Sequence, residues 1–141
     1  MALANVYELI QTKVESLGFT PWEDAFQIDN IPSTIQDKSF HVEIGSIGGE
    51  PADHTTHRFT FPMLIRVIRR GFRYPSEAKS QAMVDADSIL AGLLAPSFRL
   101  LVGEDVKDLV PAGVELREFS GSNDNVLVLE IRIEALIISK F

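Results

Sequence analysis

The chain of 141 residues contains no cysteine. That absence excludes a disulfide framework, a thiolate zinc site and a cysteine nucleophile. Long apolar runs are missing too: none approaches the ~18 residues that a membrane-spanning helix needs. Basic side chains are the minority, 13 against 20 acidic, for a net charge of −7. This balance argues against electrostatically driven binding to nucleic acid, while leaving room for a local basic patch. The start, Met-Ala-Leu-Ala-Asn-Val-Tyr-Glu, has neither the basic stretch nor the unbroken apolar core of a signal peptide. What is present is a folding composition. At 45% apolar the chain is too hydrophobic for disorder. Its length suits one domain, 1–141, that buries a core without staples. The mean hydropathy of +0.10 is high for a small acidic chain. Apolar surface beyond one small core points to an interface.

Periodicity supplies the elements. Leu3, Val6, Leu9, Ile10, Val14 and Leu17 follow the three-and-four spacing of a helix with one buried face. Gly18 stands where a left-handed cap belongs, and Pro21 blocks resumption. Trp22 and Phe26 are expected to lay aromatic area against the fold, and Pro32 makes Asp29–Ser33 a connector. Phe40, Val42 and Ile44 alternate with His41 and Glu43, the period-two pattern of a half-buried strand. A polar loop from Gly48 to His57 leads to a second strand. On it Phe59, Phe61, Met63, Ile65 and Val67 share one face, and Pro62 predicts an edge position or a bulge. Pro75 introduces a second helix, with Ser76 as its expected N-cap. The apolar stripe of that helix is Ala78, Ala82, Ala86, Ile89, Leu90, Leu93 and Leu94. The last third reads as a hairpin: a short strand with Val114, Leu116 and Phe119, then turn chemistry from Ser120 to Asn125. A long strand follows, with Leu127, Leu129, Ile131, Ile133, Ala135 and Ile137 on one side. The expected fold is α+β, in the order α-β-β-α-β-β, a mainly antiparallel sheet with two principal helices packed on it.

The search for chemistry finds little. Asp53, His54 and His57 are residue types that bind zinc, but no further His or Cys completes the spacing. No metal is assigned. His41 reads as a surface side chain on a strand. Gly45, Gly48 and Gly49 lack the Lys-Ser/Thr of a phosphate loop. The serines form neither a Gly-x-Ser-x-Gly elbow nor an ordered triad. Asp85 and Asp87 lie two apart on the second helix, so they share no face and read as solvated charges. No catalytic residue and no cofactor is expected, and the chain reads as a non-enzyme.

The concentrated feature is basic. Arg58, Arg66, Arg69, Arg70 and Arg73 put five of the 13 basic residues between 58 and 73, so the remainder is strongly acidic. One reading is a strand end held by cross-strand partners such as Glu130 and Glu134. The other is a patch that meets an acidic surface or a nucleic-acid backbone.

The layout resembles the tail-terminator and tail-completion proteins of long-tailed bacteriophages over nearly the whole chain. The features that carry it are the Leu3–Leu17 helix, a Pro-containing connector and the Phe40–Ile44 strand. They continue with the His57–Arg70 strand ending in basic residues, the alanine-rich helix after Tyr74-Pro75, and the closing Val126–Ile138 strand. The resemblance implies a virion protein at the tail neck, assembled in the host cytoplasm. It implies a homo-oligomeric ring, commonly a hexamer, that caps the tail tube and stops its polymerisation. The tail tube protein would lie on one side and a head-completion or connector protein on the other. Phage DNA would pass non-specifically through the lumen, and no membrane is involved. A closed ring needs two complementary side surfaces per subunit. Candidates for that interface are Arg66, Arg69, Arg70 and Arg73 with Val126, Val128, Leu136 and Ile138. Reversing Arg69 and Arg70 to Glu is expected to impair joining and leave folding intact. The alternatives are another head–tail connector ring, head-closure or adaptor, or a small ligand-binding or enzymatic dimer with a pocket between sheet and helices.

Overall fold

The computed structural model describes residues 2–22, 36–45, 48–51, 56–95, 98, 106–120 and 125–140. Phe26, the 29–33 connector, Asp53, His54 and the 121–124 turn lie outside the described residues. The order is α1 (Ala2–Ser16), β1 (Thr20–Pro21), β2 (Ser39–Ile44), β3 (Gly48–Pro51), β4 (Thr56–Arg70), α2 (Pro75–Leu94), β5 (Val106–Ser120) and β6 (Asn125–Lys140). The strands form one sheet in the order β1-β2-β4-β6-β5, with β3 also paired to β4. Every pairing is antiparallel except β1 with β2. The fold is α+β, as the periodicities require. It holds two strands beyond those expected: β1, which is only two residues long, and β3, which pairs Gly48–Pro51 with His57–Thr60 where a plain loop is expected.

α1 buries Val6, Ile10 and Val14 completely, the centre of its apolar face. It ends at Gly18, whose φ of +99° lies in the left-handed region that costs a residue with a Cβ about 1–2 kcal/mol. A Cβ there would meet only Lys38 Nζ, at 3.7 Å, so the cost is backbone strain rather than crowding. Gly18→Ala should therefore lower stability by about 1 kcal/mol in urea unfolding, with no change in assembly.

α2 starts at Pro75, with Tyr74 as N-cap and no side-chain capping bond. Proline suits the first helical position because its φ is preset and the missing N–H is not needed there. The expected Ser76 cap is thus displaced by two residues. Ala78, Ala82 and Ala86 are buried, and their small side chains let the helix lie close on the sheet. Leu94, expected in the same stripe, points outward and is 41% exposed.

The two long central strands carry the core. β4 and β6 pair over 15 residues, with Phe61 opposite Ala135, Met63 opposite Ile133, Ile65 opposite Ile131 and Val67 opposite Leu129. Ile65 and Ile131 are fully buried, each contributing about 1.5–3 kcal/mol of burial. Pro62 sits in β4, an interior strand, so the expected edge position is not observed. Its carbonyl accepts from Gly45 N–H at 2.9 Å. Its ring nitrogen therefore faces the junction where β2 ends and β3 has not begun, and no ladder donor is needed. A Cβ on Gly45 would come 3.0 Å from the Pro62 ring, which explains glycine at that junction. β5 is 15 residues long rather than short. Shifts in register between Val106 and Asp108 and between Pro111 and Gly113 interrupt the alternation that would reveal it.

Candidate functional site

The basic run divides between the two faces of the sheet, because side chains alternate along β4. Arg69 points to the helical side. Its Nε donates to Asp85 Oδ2 at 2.7 Å and its Nη2 to Asp85 Oδ1 at 2.6 Å, a bidentate pair. Asp37, before β2, lies 3.5 Å from Arg69 Nη1 and accepts the Arg70 backbone N–H at 2.9 Å. Asp85 is 5% exposed, so it is not the solvated charge expected from its spacing to Asp87. Burial lowers the Arg69 pKa, but the hydrogen bonds and charge of Asp85, with help from Asp37, outweigh it and the net shift is upward. The Arg69 guanidinium therefore stays charged across the ordinary pH range and loses its proton only in strong alkali. This cluster ties β4, α2 and the turn before β2 together.

Arg66 points the other way, onto the face the helices leave uncovered. Its Nη1 lies 2.6 Å from Glu43 on β2 and its Nε 3.6 Å from Glu130 on β6. Glu130 in turn lies 2.7 Å from Arg117 Nε on β5, an ion pair without an aligned hydrogen bond. Arg117 reaches Glu115 at 3.5 Å, and Glu115 lies 4.0 Å from Arg132. A ladder of alternating charge thus runs Glu43–Arg66–Glu130–Arg117–Glu115–Arg132 across four strands. Its centre, Glu130, is 1% exposed between Arg66 and Arg117. The expected partnership of the basic run with Glu130 is present. Glu134 instead stands opposite Pro62.

The remaining candidates fall in different surroundings. Arg70 is half-buried, and Arg73 is exposed with its guanidinium 5.6 Å from the Tyr74 ring centroid. Val126 and Val128 are buried with Ile68 in a second small core against Trp22. The apolar outer face at that end of β6 is therefore covered within the chain, by the aromatic area expected of Trp22. Leu136 is half-buried, and the Ile138 side chain lies outside the described ones, as does that of His57. His41 is partly buried, its Nδ1 3.0 Å from the Trp22 carbonyl oxygen, and so is more than a surface side chain. Among the described residues no three His, Asp or Glu side chains gather as a metal site. No described helix is long and apolar enough to cross a membrane.

A groove of ≈ 510 Å³ crosses the uncovered face between Glu43, Pro62, Leu64, Arg132 and Glu134. Between sheet and helices, by contrast, Leu127, Leu129, Ile131 and Ile133 are buried, and the space is packed with apolar side chains. Large exposed apolar side chains occur at both flanks of the sheet, Ile44 on β2 and Val110 and Val114 on β5. Tyr74, Met83, Val84 and Leu94 add to them along and beside α2.

No family model and no curated protein matches this chain. Among solved structures it is similar to a chain in the virion of a native gene transfer agent particle. The two are 15% identical, with a TM-score of 0.44, over 97% of this chain and 94% of that one.

Proposed function

We propose that this chain is a structural virion protein, a tail-terminator-like subunit that closes into a ring on the end of a phage tail tube. The observation that carries the reading is the placement of exposed apolar side chains on two unlike surfaces. Ile44 marks one sheet flank, Val110 and Val114 mark the other, and Val84 on α2 is 66% exposed. A head-to-tail contact that closes into a ring needs two such different, complementary patches on each subunit. The ring, of about six copies in the resembled family, would carry the tube protein on one side and a head-completion protein on the other. A net charge of −7 keeps DNA from sticking to the lumen as it slides through. Of the basic run, Arg73 with the exposed Tyr74 is the part free to meet a neighbouring protein, and Arg and Tyr are residue types that dominate interface energetics. Among the described residues, apolar side chains such as Ile89, Leu93, Leu129 and Ile131 fill the space between helices and sheet, which disfavours a ligand-binding dimer with its pocket there.

Charge placed in the patches tests the reading. Val84→Lys and Ile44→Lys should each abolish ring closure and tube capping, while their unfolding midpoints stay within about 0.5 kcal/mol of the parent. Full capping activity in both variants would overturn the assignment of these surfaces.

A further inference from the structure

β5 ends the sheet, and among the described residues no strand pairs with its outer side. Natural edge strands are blunted by bulges, proline or charge. The first half of β5 has those devices, Pro111 and two register shifts. The second half, from Gly113 to Ser120, pairs regularly with β6 and has neither proline nor bulge; its blunting device is charge, Glu115, Arg117 and Glu118. At its centre is Val114-Glu115-Leu116-Arg117-Glu118. This segment complements itself when read backwards: an antiparallel copy centred on Leu116 sets Glu115 opposite Arg117 and Arg117 opposite Glu115. Both charges sit on the uncovered face, with side chains 51% and 40% exposed. Among the described residues Glu115 also lacks good compensation. It stands directly opposite Glu130, a like-charge pairing that is unfavourable, and its cations lie at 3.5 and 4.0 Å.

We infer that two copies of the free chain pair their β5 edges antiparallel about Leu116, extending each sheet into its partner. The occupant of the edge is a second copy because the charge pattern is complementary to itself. This contact is two-fold and closes after two copies, so it stands independently of the ring reading. A copy paired in this way has its β5 flank closed to a head-to-tail neighbour, and the dimer must open before a ring forms.

Light scattering on the isolated chain, without tubes, should give twice 15.7 kDa. Glu115→Arg sets arginine against arginine, and Arg117→Glu sets glutamate against glutamate. Each should weaken self-association by about tenfold or more. An equimolar mixture of the two variants should restore the dimer, because each then supplies the charges the other needs. Unfolding curves of each variant show whether it is folded. Because the chain has no native cysteine, Leu116→Cys should self-crosslink through a short thiol-reactive spacer. Gly113→Cys should not, since its two copies would lie about 20 Å apart along the strands. A monomer, a spontaneous ring, failure of the mixture to re-associate, or equal crosslinking at 113 and 116 would each overturn the inference. A spontaneous ring would do so while supporting the ring reading.

Discussion

Asp85→Ala should destabilise the protein by about 3 kcal/mol, enough to remove a large share of a domain's usual stability. The reason lies in what remains. Arg69 is held at 12% side-chain exposure, and among the described residues its guanidinium keeps, without Asp85, only the long contact to exposed Asp37. Breaking a buried pair from one side costs more than the pair contributes, because an uncompensated charge stays behind. Two further variants separate this account from simple loss of packing. Arg69→Met combined with Asp85→Leu removes both charges and should recover most of the loss. Arg69→Glu, which sets two carboxylates together, should be at least as damaging as Asp85→Ala. That outcome would run against the expectation that reversing Arg69 and Arg70 spares folding, because Arg69 is paired with Asp85 inside the subunit. Equilibrium denaturation in urea measures all of these, and a change below 1 kcal/mol for Asp85→Ala would remove the cluster's structural role.

Glu130→Ala is expected to cost about 2–3 kcal/mol. Glu130 is 1% exposed and separates Arg66 from Arg117, which its loss would bring face to face without a shared anion. The figure sits below the usual range for a broken buried pair because both arginines keep a second partner, Glu43 at 2.6 Å and Glu115 at 3.5 Å. Exposed Glu134, four residues along the same face of β6, is the matched control, and its alanine variant should change stability by less than about 0.5 kcal/mol. Equal effects at 130 and 134 in denaturant unfolding would mean that the ladder does not organise the uncovered face.

Much of this architecture can be read from the amino acids, and the failures have physical causes. The faces of α1, β2, β4 and β6 follow from period, because each buries one continuous side. Asp85 was legible in kind but misassigned. Comparing it with Asp87 hides its spacing of three from Ala82 and four from Ile89, which puts it on the buried stripe. Only a long-range partner, Arg69 sixteen residues away, makes a carboxylate tolerable there. β1 and β3 are short and rich in Gly and Pro, so their pairing depends on neighbouring strands rather than on their own pattern. Val126 and Val128 look like surplus apolar surface until Trp22, more than 100 residues earlier in the chain, is known to pack there. Sequence could not supply that contact.

The most direct measurement is electron microscopy of tail tubes assembled with and without this protein. The account predicts a ring of about six subunits seated on one end of each tube, and tubes that no longer lengthen once it is added. Bare tube ends and unchanged elongation, with folded protein in excess, would contradict it.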